Sequence, residues 1–287
     1  MEIHNGRVLE GDNLILMQEL INEGVEVDLI YVDPPYGIKI DEKFGMPSWN
    51  SLNEPKNRVD EIINIELLCS KGECNYLRWL YPRLVLMRKL LSERGSIYLH
   101  IDWHVGHYVK LMMDDIFGKD NFQNEIIWHY KNSALKAKSK KFRQNTDNIY
   151  YYAKNKGGHI WNDIFVKCEP YEASKHKFNP VTKKAERLRN ENGKIDYFIV
   201  DKKKQDNLFQ INALNSAENT KYDTQKPKEL IEKFIKASSN EGDLVADFYL
   251  GSGTTAEVCK DLNRNFIGCD INPRAVELSK VRCGVFS

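Results

Sequence analysis

No apolar run in the sequence approaches the roughly 20 residues that cross a bilayer. The start, "MEIHNGRVLEGD", lacks the basic-then-apolar pattern of a signal peptide. Neither a membrane span nor export is expected, which makes the cytoplasm the expected compartment. Cysteine is sparse: six are scattered through 287 residues, far below the density of a secreted disulfide scaffold. Cys69 and Cys74 lie near each other, but no second close pair completes a zinc-ribbon pattern. No internal repeat is present, which argues against a solenoid. Neither sign of charge dominates, with 42 Lys+Arg against 41 Asp+Glu and a net charge of +1.

That balance hides an uneven distribution. Lys131 to Gln210 holds 19 Lys+Arg against 9 Asp+Glu, and the rest of the chain holds 23 against 32. Such asymmetry suggests a polyanionic partner for the middle segment, although a solvated surface or linker would look alike. The remaining composition, 41% hydrophobic and 29% charged, is that of a globular protein.

Strands and helices alternate along the text. "VEVDLIYV" reads as a buried strand, "CNYLRWLYPRLVLMRKLLS" as a helix that Pro82 kinks or divides, and "GSIYLHI" as a strand. "HVGHYVKLMMDDIFG" is a helix ended by Gly118, and "NEIIWHY" and "NIYYYAK" are two further strands. From about residue 155 to 215 the periodicity weakens and lysines alternate with aromatics, which reads as an inserted module. "QKPKELIEKFIKASS" is a helix with Pro227 near its first turn. "DLVADFYLGSGTTAEVCKDL" reads strand, glycine turn, helix; "FIGCDI" is a strand and "NPRAVELSKVR" a last helix. Alternation of this kind predicts an α/β fold with one doubly wound, mostly parallel sheet. The expected divisions are 1–154, 155–215 and 216–287.

Two turns carry chemistry. In "YVDPPYGI", Asp33, Pro34, Pro35 and Tyr36 stop a strand abruptly, and the prolines stiffen the turn around a carboxylate and an aromatic ring. In "DFYLGSGTTAE", Gly251 and Gly253 stand between strand and helix, where missing side chains let backbone wrap a ligand. Asp270 ends the following strand, about 20 residues on, where an acid can accept hydrogen bonds from both ribose hydroxyls. A nucleoside cofactor is expected; the bland alternative is a glycine turn that serves only packing.

These motifs resemble the β-class S-adenosylmethionine-dependent amino-methyltransferases of DNA. "DPPY" matches the family's catalytic motif, "DFYLGSGTT" its cofactor loop and "TQKP" at 224–227 a further segment. The order also matches: catalytic half, target-recognition insertion, cofactor half. Tyr249 departs from an expected Phe, and Tyr222-Asp223 from an expected His-Pro.

The resemblance implies a Rossmann-like methyltransferase fold with permuted motif order. It implies transfer of a methyl group to the 6-amino group of a flipped-out adenine in double-stranded DNA. The alternatives are the 4-amino group of cytosine and a non-catalytic DNA-binding subunit. Asp33 and the Pro34 carbonyl would accept the amine hydrogens, and Tyr36 would stack on the base. Asp12, Thr224, Lys226, Asp247, Phe248, Gly251, Ser252, Gly253, Thr254 and Asp270 would hold S-adenosyl-L-methionine. Within that set, Lys226 would face the methionine carboxylate and Asp270 the ribose. Asp12 would touch the adenine ring, or simply cap a helix. Lys136, Lys138, Lys140, Lys141 and Arg143 would grip phosphates. Trp128 is a candidate pocket wall or ordinary core, and Trp161 and Tyr171 are candidate wedges. His100, His104 and His107 near Asp102 suggest a metal site, but the chemistry needs none. A homodimer and a cognate restriction endonuclease are candidate partners.

Overall fold

The computed structural model describes residues 6–35, 71–130, 140, 142–212, 214, 218–222 and 225–284, with helical side chains from residue 75 onward. Tyr36, Thr224, Lys136, Lys138 and Lys141, each given a role above, lie outside the described residues. Two compact units are present, one of residues 1–162 and 207–287, the other Asp163–Asp206.

The first unit is built on an eight-stranded sheet. Its strands are β1 (Arg7–Glu10), β2 (Val27–Val32), β3 (Leu91–Ile101), β4 (Phe122–His129), β5 (Thr146–Ala153), β10 (Leu208–Gln210), β11 (Leu244–Asp247) and β12 (Asn265–Asp270). The spatial order is β1-β12-β11-β2-β3-β5-β4-β10. The run from β1 to β3 is parallel, β5 is antiparallel to both neighbours, and β10 is parallel to β4.

Successive side chains of the central strands point to opposite faces and are buried on both, which sets two helical layers. Ile30, Val32, Ile97, Leu99 and Ala246 pack with Met17, Leu77, Leu84 and Val109 of α1 (Asn13–Asn22), α2 (Lys71–Leu90) and α3 (Gly106–Phe117). Leu29, Tyr31, Tyr98 and Val245 pack instead with Ile231, Phe234, Val258 and Val276 of α4 (Lys228–Ser238), α5 (Thr254–Asp261) and α6 (Pro273–Cys283). The second layer is aromatic: Tyr98 stacks on Tyr151 at 4.4 Å and on Phe234 at 4.5 Å between centroids.

Local chemistry fixes the boundaries. Asp12 caps α1 by accepting from Leu14 N at 2.8 Å, and Asn272 caps α6 by accepting from Arg274 N. Gly118 closes α3 with φ 89°. Pro82 lies inside α2, which is one element from Lys71 to Leu90. Pro227 occupies the cap position of α4, one residue before the helix.

The second unit comprises two antiparallel ribbons. β6 (Phe165–Ser174) pairs with β9 (Tyr197–Lys204), and β7 (His176–Asn179) with β8 (Lys184–Arg187). This unit is narrower than the span 155–215 expected from the sequence. Within the first unit, Asn162 Nδ2 donates to the carbonyls of Lys236 and Ser239 at the end of α4. In the same unit, β10 pairs with β4 in the main sheet.

Candidate active site

The two informative turns meet. β2 and β11 are neighbours, with Val245 opposite Leu29 and Ala246 opposite Ile30, and both run the same way. From β2 the sheet continues to β3 on one side; from β11 it continues to β12 on the other. The turns after two such strands diverge and leave a crevice at their carboxyl ends. One cavity there is lined by Asp33 and Pro35 from the first turn, and by Asp247, Phe248, Gly251, Ser252 and Thr254 from the second. Asp12, Lys226 and Asp270 also line it, whereas Pro34 and Gly253 are not among the lining residues.

The glycine turn depends on its glycines. Gly251 and Gly253 have φ of 52° and 75°, the left-handed region that side chains disfavour. A Cβ on Gly253 would stand 2.6 Å from Ser279 Oγ and 2.7 Å from its Cα. The Asp247 carboxylate organises the same turn, accepting from Tyr249 N at 2.9 Å and Thr255 Oγ1 at 2.6 Å. Burial raises its pKa from 3.8 to about 7, against the lowering pull of those two donors, and nearby Asp33 and Asp270 push the same way as burial.

Asp270 accepts from Gly251 N at 3.0 Å on one oxygen and from Asn272 N at 2.9 Å on the other. Its pKa is also raised, chiefly by burial. A carboxylate oxygen has two lone pairs, so each still has acceptor capacity toward the cavity.

Asp12 caps α1 and also pairs with Arg83 Nη2 at 3.2 Å. The sequence did not single out this arginine. Arg83 is 4% exposed, donates through Nε to Asn13 Oδ1 at 2.8 Å, and lies over the Trp79 ring at 4.3 Å. Asn13 in turn donates to the Phe248 carbonyl at 3.0 Å. Trp79, Tyr222, Ile271 and Asn272 line the cavity as well and were missed. A cation inside an apolar helix was a usable signal for Arg83. Ile271, half exposed after the acid of β12, offered another.

Lys226 lines the cavity, and its ammonium forms an ion pair with Asp33 Oδ2 of the acidic turn. Trp128 is absent from the lining: it is 5% exposed, donates through its indole nitrogen to the Ile211 carbonyl at 2.9 Å, and meets His100 edge-on. Core packing accounts for it. His100 is fully buried between the Tyr31 hydroxyl at 3.1 Å and Asp147 Oδ2 at 3.3 Å. Burial, with the Lys226 charge, pushes its pKa down, against the raising pull of Asp33 and Asp147. His104 bonds locally to Asp102 at 2.7 Å, and no cluster of three potential metal ligands occurs among the described residues.

Lys140 and Arg143 are exposed. Trp161 belongs to the first unit and stacks on Tyr151. In the second unit, the β6–β9 register puts Phe165 with Lys204, Lys167 with Lys202, Tyr171 with Val200 and Ala173 with Phe198 on one face. Phe165, Tyr171 and Phe198 are 61%, 53% and 46% exposed. The other face carries Val166 with Lys203, Glu172 with Ile199 and Ser174 with Tyr197.

A doubly wound sheet with a glycine turn, a strand-end acid and an Asp-Pro-Pro turn on one crevice defines a Rossmann-like nucleoside-binding enzyme fold. A family profile described as DNA methylase (N6_N4_Mtase) matches residues 27–281, and the chain belongs to that family. It is 30% identical over 260 residues to the type II methyltransferase M1.MboII of Moraxella bovis, covering 88% of each chain. It is 27% identical over 311 residues to the type II methyltransferase M.EcaI of Enterobacter cloacae, covering 90% of this chain but only 65% of that one. It is 25% identical over 280 residues to the DNA adenine methyltransferase YhdJ of Escherichia coli (strain K12), covering 98% and 83%. Among solved structures, the M1.HpyAVI–SAM complex has a TM-score of 0.60 at 20% identity over 97% of this chain and 99% of that one. The cytosine-N4-specific PvuII DNA methyltransferase has a TM-score of 0.62 at 18% identity, covering 97% and 86%. These structures share the fold.

Proposed function

We propose that the protein is a site-specific DNA methyltransferase that transfers a methyl group from S-adenosylmethionine to the 6-amino group of adenine in double-stranded DNA. The observation that carries this reading is the meeting of the Asp33 turn and the Gly251–Thr254 turn on one cavity. The residues present suit the cofactor. Asp270 has acceptor capacity for two ribose hydroxyls, the glycine turn admits close backbone approach, and the buried carboxyl of Asp247 would welcome a nearby ammonium. The cofactor supplies a methyl group on a positively charged sulfur.

The chain's own residues do the rest. The exocyclic amine is a weak nucleophile because its lone pair is delocalised into the ring. Asp33 and the Pro34 carbonyl accept its two hydrogens, draw the nitrogen towards tetrahedral geometry and aim the lone pair. As the nitrogen becomes positive, the Asp33 charge stabilises it. Tyr36 would stack on the base once it leaves the duplex, a step that costs a few kcal/mol.

Adenine is favoured because an Asp opens the Pro-Pro-Tyr turn and because one relative is named a DNA adenine methyltransferase. Cytosine is the second reading, since a neighbour in fold is named cytosine-N4-specific. The second unit and the segment around Lys140 and Arg143 would meet the duplex. There the Phe165–Lys167–Tyr171 face of the β6–β9 ribbon is the better candidate, because a two-stranded ribbon fits the major groove and this face carries Lys167, Lys202 and Lys204 together with exposed Phe165, Tyr171 and Phe198. A homodimer, a cognate restriction endonuclease and a cytoplasmic setting complete the reading; among the described residues no helix is long and apolar enough to cross a membrane.

Asp33→Ala tests the assignment. Its turnover should fall by on the order of 10²–10³ or more, while calorimetric affinity for S-adenosylhomocysteine stays at or above the wild-type value. Retention of wild-type turnover would remove Asp33 from the chemistry.

A further inference from the structure

Lys226 stands at the seam of the crevice. Its carbonyl accepts from Thr254 Oγ1 at 3.2 Å, which ties its backbone to the first turn of α5. Pro227 follows with φ −68°, and a residue before proline is held extended. The backbone is therefore fixed while the four-carbon side chain can swing. In the structure that side chain crosses to the opposite turn and pairs with Asp33 Oδ2. The two side chains are only 10% and 16% exposed, so water screens the pair poorly.

This contact opposes the work that Asp33 must do. An oxygen engaged by an ammonium is a poorer acceptor for an amine hydrogen. The lysine charge also offsets the negative charge that would stabilise a nitrogen turning positive, and the sulfonium brings a further cation into the same crevice. Arg83, the other cation among the described residues that line the cavity, cannot take over its partners because it is committed to Asp12 and Asn13. Productive geometry thus requires Lys226 to leave Asp33 for another anion. On the same reading, the remaining acceptor capacity of Asp247 and Asp270 serves the donor's ammonium and ribose. The methyl donor brings a carboxylate of its own.

We infer that Lys226 is a positioning residue that exchanges one carboxylate for another: it holds Asp33 until the donor's carboxylate takes its ammonium, and so couples cofactor binding to opening of the acceptor half. The inference rests on the methyltransferase reading of the crevice. It makes adenine capture depend on prior cofactor binding, and by linkage the dependence is mutual.

The test uses the full chain, S-adenosylhomocysteine as a ligand that cannot donate, and a duplex with 2-aminopurine at the methylated position. In the wild type, the ligand should tighten duplex binding by about fivefold or more and raise the 2-aminopurine fluorescence, and the duplex should tighten ligand binding by the same factor. In Lys226→Met, cofactor-free duplex affinity should rise towards the wild-type liganded value, and coupling should fall below about twofold. Lys226→Gln should behave alike if the Met variant is unstable, and Lys226→Arg should restore coupling. A Met or Gln variant with wild-type coupling, or with unchanged or weaker cofactor-free duplex affinity, would overturn the inference. So would a wild type without coupling. Failure of the underlying reading looks different: the wild type would then transfer no label to DNA at all.

Discussion

Asp247 shows how one residue can serve both fold and site. Its carboxyl is buried at the end of β11 and titrates near 7 rather than 3.8, chiefly because burial penalises the charge. The folded state therefore holds a proton that the unfolded chain has lost between about pH 4 and 7. The residue's contribution to stability is full below the unfolded pKa and is lost as pH rises towards 7, by on the order of 4 kcal/mol at most. Asp247→Asn imitates the protonated form. Urea unfolding across pH 4.5–7.5 should show a falling stability term in the wild type that is missing from the variant; parallel profiles would refute this. Gly253 poses a steric question instead. Gly253→Ala must place a Cβ against Ser279 Cα, a backbone atom, at 2.7 Å, and adopt φ 75°. Gly24 has a similar φ of 74° but open space around it. Gly253→Ala should therefore cost about 1–3 kcal/mol and weaken S-adenosylhomocysteine binding, whereas Gly24→Ala should leave that affinity unchanged. Equal cofactor affinities for the two variants would contradict the packing account.

Elements buried on both faces were legible in the sequence, and exposed ones were not. The strand that leads into Asp33 and those ending at Asp247 and Asp270 are apolar runs cut off by proline, glycine or aspartate, so burial and boundary coincide in the text. Their adjacency followed from chemistry, since two ligand-binding turns had to share a crevice. By contrast, β10 has three residues and joins the sheet through β4, about 80 positions earlier, which no local pattern encodes. The ribbons of the second unit expose residues on both faces, so they lack the alternation that betrays a strand. The Arg83–Asp12–Asn13 network joins residues some 70 positions apart and was equally invisible. Register now separates the two ribbon faces, which composition could not. Replacing Lys167 and Lys202 by Gln should weaken duplex binding and flatten its salt dependence by up to about 1.8 in log–log slope. Replacing Lys203, on the opposite face, should change the slope by much less. Equal effects from both faces would remove the ribbon register from the account of DNA contact.

At the scale of the whole molecule, the sheet brings together two turns more than 200 residues apart in sequence, one stiffened by proline and one opened by glycine. The charge distribution fits that division: acidic overall around the crevice halves, basic between Lys131 and Gln210 where a polyanion would be held. The most direct measurement gives the protein duplex DNA and S-adenosylmethionine carrying an isotope-labelled methyl group, then digests the DNA and identifies the labelled nucleoside by mass spectrometry. Label should appear on N6-methyl-2′-deoxyadenosine and vanish with Asp33→Ala. Label on the cytosine amine would contradict the choice of base, and the absence of label from DNA would contradict the account as a whole.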